Sequence, residues 1–114
     1  MNYTSIEQSK KLLELGLSSE SADMYYEVHS AYIEETPKIG YKHGLNIPCW
    51  SVGSLLEVMP PIYGLKPIID LCCNSIRYSY IDMPIDTKSY DSVLDASYEM
   101  VCWLLENDYI KKVK

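Results

Sequence analysis

The feature that most constrains this chain is an amphipathic segment near its end, residues 90–107. Its apolar positions recur at i, i+3, i+4 and i+7 spacing, which places them on one face of an α-helix. This face carries Tyr90, Val93, Leu94, Ser97, Tyr98, Val101, Leu104 and Leu105. The face is widened by Ala96, Met100 and Trp103. The opposite side carries Asp91, Asp95, Glu99, Cys102 and Glu106. An apolar face this broad must be covered, so we expect the rest of the chain to pack on this helix.

Two further helices are predicted earlier in the chain. Thr4, with Glu7 three residues later, has the spacing of a capping box. Gly16 is suited to the left-handed position that ends a helix, so the first helix is predicted at about residues 4–16. A short middle helix is predicted to begin at Ser51 as its N-cap and to end before Pro60, because the residue before a proline is pushed out of the α region.

Strands are predicted on both sides of the middle helix. Residues 24–28 are rich in Tyr and Val, which favour strands, and residues 31–34 continue this strand or pair with it. Residues 68–81 have β composition throughout, and we favour two strands with a turn at Asn74-Ser75 over one long strand. Residues 35–48 show no period and are predicted to form a loop, a length of loop that is often functional.

These elements predict a single α+β domain over residues 1–114. A small antiparallel sheet of three or four strands is expected to pack against the N- and C-terminal helices, with the short helix between them in sequence.

The net charge of the chain and the character of its N-terminal residues indicate which partners and which compartment to expect. The net charge is −6, and Arg77 is the single arginine among ten basic residues. This balance disfavours binding to a phosphate backbone or to an anionic membrane surface. Residues 1–7 lack the features of a signal peptide, and no apolar run reaches the roughly 18 residues of a membrane span. With four cysteines and no C-x-x-C pair, we expect free thiols and a cytoplasmic location.

Motifs for catalysis or cofactor binding are not recognisable. The chain has no phosphate-binding glycine loop, and its two histidines, His29 and His43, are not paired with cysteines at zinc spacing, so no cofactor and no metal are predicted. Cys49 precedes a short helix, whose dipole would lower a thiol pKa, and it is the candidate reactive thiol. Burial beside Trp50 is the competing interpretation.

Aromatic side chains supply the candidate interaction surface. The chain has eleven Tyr, two Trp and no Phe, and Tyr and Trp are favoured at protein interfaces. The candidate residues are Tyr25, Tyr26, Trp50, Tyr63, Tyr78, Tyr80 and Trp103. Core lining is an equal alternative for these rings.

We therefore expect a non-enzymatic protein that binds a protein partner or forms a homo-oligomer. One alternative is a small ligand-binding or enzymatic domain with a pocket near Cys49 and Trp50. A weaker alternative is an acidic mimic of nucleic acid.

Three stretches carry a resemblance to a family. Residues 10–17, residues 48–60 and residues 95–106 are similar to segments of small uncharacterised proteins encoded by phages, prophages and mobile elements of gut anaerobic bacteria. The shared features are caps, leucines and a tryptophan. The resemblance implies a cytoplasmic accessory protein of mobile-element origin, and it implies no cofactor and no role for any single residue.

Overall fold

A computed structural model describes residues 2–40, 44–62, 64–70, 74–78, 85–86 and 92–113. It contains three α-helices: α1 (Ile6–Leu15), α2 (Val52–Val58) and α3 (Val93–Glu106). None of the helices in these ranges is both long enough and apolar enough to cross a membrane.

Within these ranges, six short strands form two separate antiparallel sheets. The strands are β1 (Met24–Tyr26), β2 (Lys38–Ile39), β3 (Ile47–Cys49), β4 (Ile68–Asp70), β5 (Ser75–Tyr78) and β6 (Ile85–Asp86). The first sheet has the order β2-β1-β3, and the second has the order β4-β5-β6. The α+β class with helices packed on strands is thus confirmed, with the strands before α2 in one sheet and those after it in the other.

Helix α3 is the element on which the rest packs, as its sequence pattern predicts. It contacts α1, α2 and β5. Its buried residues are Leu94, Ala96, Ser97, Met100, Val101, Cys102, Leu104 and Leu105. Cys102 is therefore in the core, although the helical pattern placed it on the solvated side. Predicted positions Tyr90 and Asp91 lie outside the described residues.

The ends of α1 confirm one predicted cap and correct the other. Gly16 adopts φ 103°, and the N–H groups of Gly16 and Leu17 bond to carbonyl oxygens of Leu13 and Leu12, which is a Schellman ending. At the other end the N-cap is Ser5, not Thr4, and its capping box closes with Gln8.

The region between α1 and α2 holds more structure than predicted. Strand β1 falls within the predicted strand, and an antiparallel bridge between Val28 and Ile33 confirms that residues 31–34 pair back on it. The predicted loop over residues 35–48 contains β2 and most of β3. These strands are too short to leave a period in the sequence.

The region after α2 contains the predicted pair of strands. Strands β4 and β5 are antiparallel, with Ile69 opposite Ile76, so two strands replace the single long one. Asn74 adopts φ 49°, a left-handed conformation that asparagine tolerates in turns. Strand β6 lies between β5 and α3 in the sequence.

Candidate functional site

Three of the predicted surface rings lie in the core instead. Trp50 and Tyr78 are fully buried, and Tyr26 is almost so. Each ring donates its polar hydrogen within the protein: Trp50 Nε1 to Ser21 Oγ at 2.9 Å, Tyr26 Oη to the Thr4 carbonyl at 2.7 Å, and Tyr78 Oη to the Pro60 carbonyl at 2.7 Å. Because a buried ring needs such a partner, the core-lining alternative applies to these three residues.

The other candidate rings differ in their exposure to solvent. Trp103 is 36% exposed and stacks on Tyr109, with ring centroids 5.5 Å apart and an interplanar angle of 17°. Tyr25 is half-buried on β1. Tyr63 and Tyr80 lie outside the described residues. No contiguous aromatic patch is therefore formed by the rings that the structure describes.

The candidate thiol Cys49 is not placed to react. It is fully buried, and its Sγ donates to the Thr4 carbonyl oxygen at 3.3 Å. Burial raises the pKa of the Cys49 thiol above its ordinary value, against the lowering expected from a helix dipole. The same cause raises the pKa of Cys102 to about 11. Both thiols are packing residues.

Thr4 makes most of the hydrogen bonds described in the buried polar region around Cys49. Its hydroxyl accepts the N–H of Trp50 at 3.0 Å and lies 2.8 Å from the hydroxyl of Ser9. Its own N–H bonds to the Trp50 carbonyl at 2.8 Å. This use of the Thr4 hydroxyl explains why Ser5 caps α1 in its place.

An acidic cleft of about 430 Å³ is lined by Ser21, which accepts the indole N–H of Trp50. It lies between the 3-10 turn at residues 19–21, strand β2 and helix α2. Its principal lining residues are Glu20, Ser21, Asp23, Ile39, Ser54 and Glu57. We call this site the acidic cleft.

Hydrogen bonds hold the wall of the acidic cleft in place. Ser21 Oγ accepts from Trp50 Nε1 and donates to the Ser18 carbonyl at 2.6 Å, which ties the 3-10 turn to the core. The Asp23 carboxylate accepts from the Ser51 N–H at 3.0 Å and from Ser51 Oγ at 2.5 Å, at the start of α2. The cleft therefore has a preformed wall.

Asp23 keeps its negative charge in this setting. Burial alone would raise the pKa of Asp23, but the hydrogen bonds from Ser51 outweigh burial and hold the pKa below its ordinary value. With Glu20 and Glu57, both exposed, it gives the cleft three carboxylates.

Strand β2 supplies an apolar side chain at the mouth of the cleft. Ile39 is 86% exposed, and Leu45, between β2 and β3, is 89% exposed. The Gly40 N–H bonds to the Asp23 carbonyl, so the next pair, Ile39 opposite Met24, is a non-hydrogen-bonded pair. The N–H and C=O of Ile39 consequently point away from β1, toward an edge with no described strand beside it.

The serine hydroxyls that line the acidic cleft are already engaged in hydrogen bonds. The hydroxyl hydrogens of Ser21 and Ser54 are donated to the carbonyls of Ser18 and Ser51, so neither side chain is set up as a nucleophile. Carboxylates beside an exposed isoleucine instead suit a ligand with both positive charge and apolar surface.

Sequence patterns could not have located this cleft. Its residues come from three separate segments, around 20–23, 39–40 and 53–57, and none forms a local motif. The one partial signal was the length of the loop predicted over residues 35–48, which is often functional, since Ile39 and Leu45 fall there. Comparison of the chain with protein-family models, with curated proteins and with solved structures finds no match.

Proposed function

We propose that this protein is a protein-interaction module that captures an extended basic segment of a partner in the acidic cleft. The observation that carries the proposal is the position of Ile39, which is 86% exposed and lines a cleft that also holds Glu20, Asp23 and Glu57. An isoleucine exposed to water is unfavourable in free energy. A partner with positive charge and apolar surface could cover Ile39 and pair with the carboxylates beside it.

Charge complementarity supports a basic partner. The chain carries a net charge of −6, so a cationic segment is attracted from a distance as well as at the cleft. Lysine or arginine would face Glu20 and Glu57, while an apolar neighbour would cover Ile39. Complementary charges of this kind raise the association rate and select against acidic partners.

The free edge of β2 supports an extended conformation for the bound segment. The outward N–H and C=O of Ile39 offer one pair of main-chain hydrogen bonds, the means by which peptides add to a sheet edge. The cleft volume of about 430 Å³ has room for one or two side chains of such a segment.

The cellular setting belongs to the same proposal. Buried free thiols at Cys49 and Cys102 suit a reducing compartment, which supports a cytoplasmic protein. An accessory role, as the resemblance to mobile-element proteins implies, would use the cleft to bind a host or partner protein.

The test is a selection of random peptides displayed on phage against the wild-type protein, followed by fluorescence anisotropy with the selected peptides. We expect a consensus that pairs Lys or Arg with an apolar residue. Charge reversal by Glu20→Lys with Glu57→Lys should weaken binding at least tenfold, because two facing charges become repulsive. The matched control is Glu14→Lys with Glu99→Lys, which changes the net charge equally away from the cleft.

The apolar contact is tested separately. Ile39→Asp should also abolish peptide binding, whereas Val113→Asp, at a position 50% exposed on the C-terminal segment, should leave it unchanged. A selected consensus without basic residues, or equal losses in the cleft and control variants, would refute the proposal.

A small cationic ligand is the second candidate for the same cleft. Ser21 links the cleft wall directly to Trp50 Nε1, so a ligand that moves Ser21 would change the tryptophan environment. This alternative predicts that a polyamine changes Trp50 fluorescence and that Trp103→Phe retains the change. It fails if polyamines leave the fluorescence unchanged.

A further inference from the structure

A second group of charged side chains lies on the turn that follows β1. Glu27, His29 and Glu34 each place one donor atom within 4.8 Å of the others. Within this group, His29 Nε2 and Glu34 Oε1 are 3.3 Å apart. We call these three residues the hairpin cluster.

Backbone pairing holds the hairpin cluster together. The Glu34 N–H bonds to the Glu27 carbonyl at 3.0 Å, and the His29 N–H bonds to the Tyr32 carbonyl at 2.8 Å. The His29 ring also stacks on Tyr32, with ring centroids 4.6 Å apart. The three donors are therefore brought to one side of a short hairpin by main-chain geometry.

The hairpin cluster is accessible and already attracts a cation. The side chains of Glu27, His29 and Glu34 are 32%, 35% and 34% exposed, so an ion can reach them from solvent. Lys38 from β2 forms an ion pair with Glu27, and its Nζ lies 4.0 Å from Glu34 Oε2. Two carboxylates against one ammonium leave a net negative charge.

We propose that the hairpin cluster binds a divalent cation of the zinc class, with Glu27, His29 and Glu34 as ligands. An imidazole nitrogen with two carboxylate oxygens suits such borderline ions better than Mg²⁺ or Ca²⁺, which prefer oxygen alone. Three protein ligands leave the fourth tetrahedral position to water.

The distances fit this assignment after small side-chain movements. Zinc–ligand bonds of about 2.0–2.1 Å separate two tetrahedral ligands by about 3.4 Å. The pair His29 Nε2 and Glu34 Oε1 is already at 3.3 Å. The Glu27 carboxylate must approach by rotating about its own side-chain bonds, which its exposure permits.

Lys38 is the competitor of the metal in this arrangement. Its ammonium pairs with Glu27 and lies 4.0 Å from Glu34 Oε2, so it competes with an ion for both carboxylates. Binding of the ion therefore breaks the pair between Lys38 and Glu27. Removal of the ammonium should therefore strengthen metal binding. If Lys38 only held the two carboxylates in place, its removal would weaken metal binding instead.

The experiment is a calorimetric titration with Zn²⁺ of the full chain in a Cys72→Ser, Cys73→Ser background, because adjacent thiols also bind zinc. His29→Ala and Glu34→Gln should each lower the affinity about tenfold or more. Lys38→Met should raise it about fivefold, the size of an exposed ion pair. His43→Ala is the control and should have no effect.

Two readouts keep the test decisive. The imidazole resonances of His29 should shift on addition of Zn²⁺ and not on addition of Mg²⁺. Circular dichroism should show every variant folded before its affinity is compared. Zinc affinity that survives His29→Ala, or that falls in Lys38→Met, would overturn the assignment.

Discussion

Replacement of Thr4 by valine should destabilise this protein far more than its small chemical change suggests. Valine has nearly the same shape, but it removes the hydroxyl that accepts the main-chain N–H of Trp50 at 3.0 Å. It also removes the hydroxyl 2.8 Å from Ser9 Oγ. Both Thr4 and Trp50 are fully buried, so water cannot replace the lost acceptor without opening the core.

The magnitude follows from these two losses. A buried amide N–H without an acceptor costs about 1–3 kcal/mol, and a lost neutral hydrogen bond about 0.5–1.5 kcal/mol. We expect Thr4→Val to lower the free energy of unfolding by about 2.5 kcal/mol. For a chain of 114 residues the unfolding entropy is about 0.24 kcal/mol/K, so the melting temperature should fall by about 10 °C.

Thr4→Ser is the matched control. It keeps the hydroxyl and removes one buried methyl group, which costs about 1 kcal/mol. Urea unfolding followed by circular dichroism gives both free energies. The reasoning is refuted if Thr4→Val is no less stable than Thr4→Ser, because the hydroxyl would then contribute less than a methyl group.

Three further substitutions test other parts of the fold. Gly16→Ala should cost about 1–3 kcal/mol in urea unfolding, because Gly16 has φ 103° and an added Cβ would lie 2.8 Å from Lys112 Cβ; an effect near zero would contradict the packing of the C-terminal segment on α1. Ser51→Ala should cost about 1 kcal/mol by loss of the α2 N-cap, and the pKa of Asp23 should rise toward its ordinary value, which a carboxyl NMR titration measures. In the wild type, burial raises the pKa of Cys102 from 9.0 to about 11, so the unfolded thiol ionises first and stability should fall as pH rises from about 9 to 11. Cys102→Ala should remove that part of the slope, and identical slopes would show that the thiol does not ionise differently in the two states.

The helices were predictable because their signals are local. The apolar period of α3, the glycine that ends α1 and the serine that caps α2 each act within a few residues of their own position. Among the helix ends, the N-cap of α1 was wrong, because Thr4 was predicted and Ser5 is the cap. The choice between them depends on Trp50, which lies 46 residues from Thr4 in the sequence and takes the Thr4 hydroxyl.

The short strands and the division into two sheets were less predictable. A strand of two residues such as β2 has no period, and its place in the sheet follows from pairing with β1. Aromatic positions failed for a related reason. A strand residue such as Tyr26 or Tyr78 has the same local pattern whether its face is covered by a helix or left to solvent. Helix α3 packs on β5, the strand that carries Tyr78, and the Tyr26 hydroxyl reaches the carbonyl of Thr4 in the segment before α1, so both rings are buried.

The acidic cleft is formed partly by a helix that the sequence predicts and partly by a strand that it does not predict. Its apolar contact, Ile39, lies on a short strand, but its wall is bonded to the core through Ser21 and Trp50 and to α2 through Asp23 and Ser51. A partner that binds there meets a surface whose backbone is already ordered, so little conformational entropy is lost on binding. Loss of the Ser51 hydroxyl in Ser51→Ala should therefore reduce peptide affinity as well as the free energy of unfolding, even though Ser51 does not line the cleft.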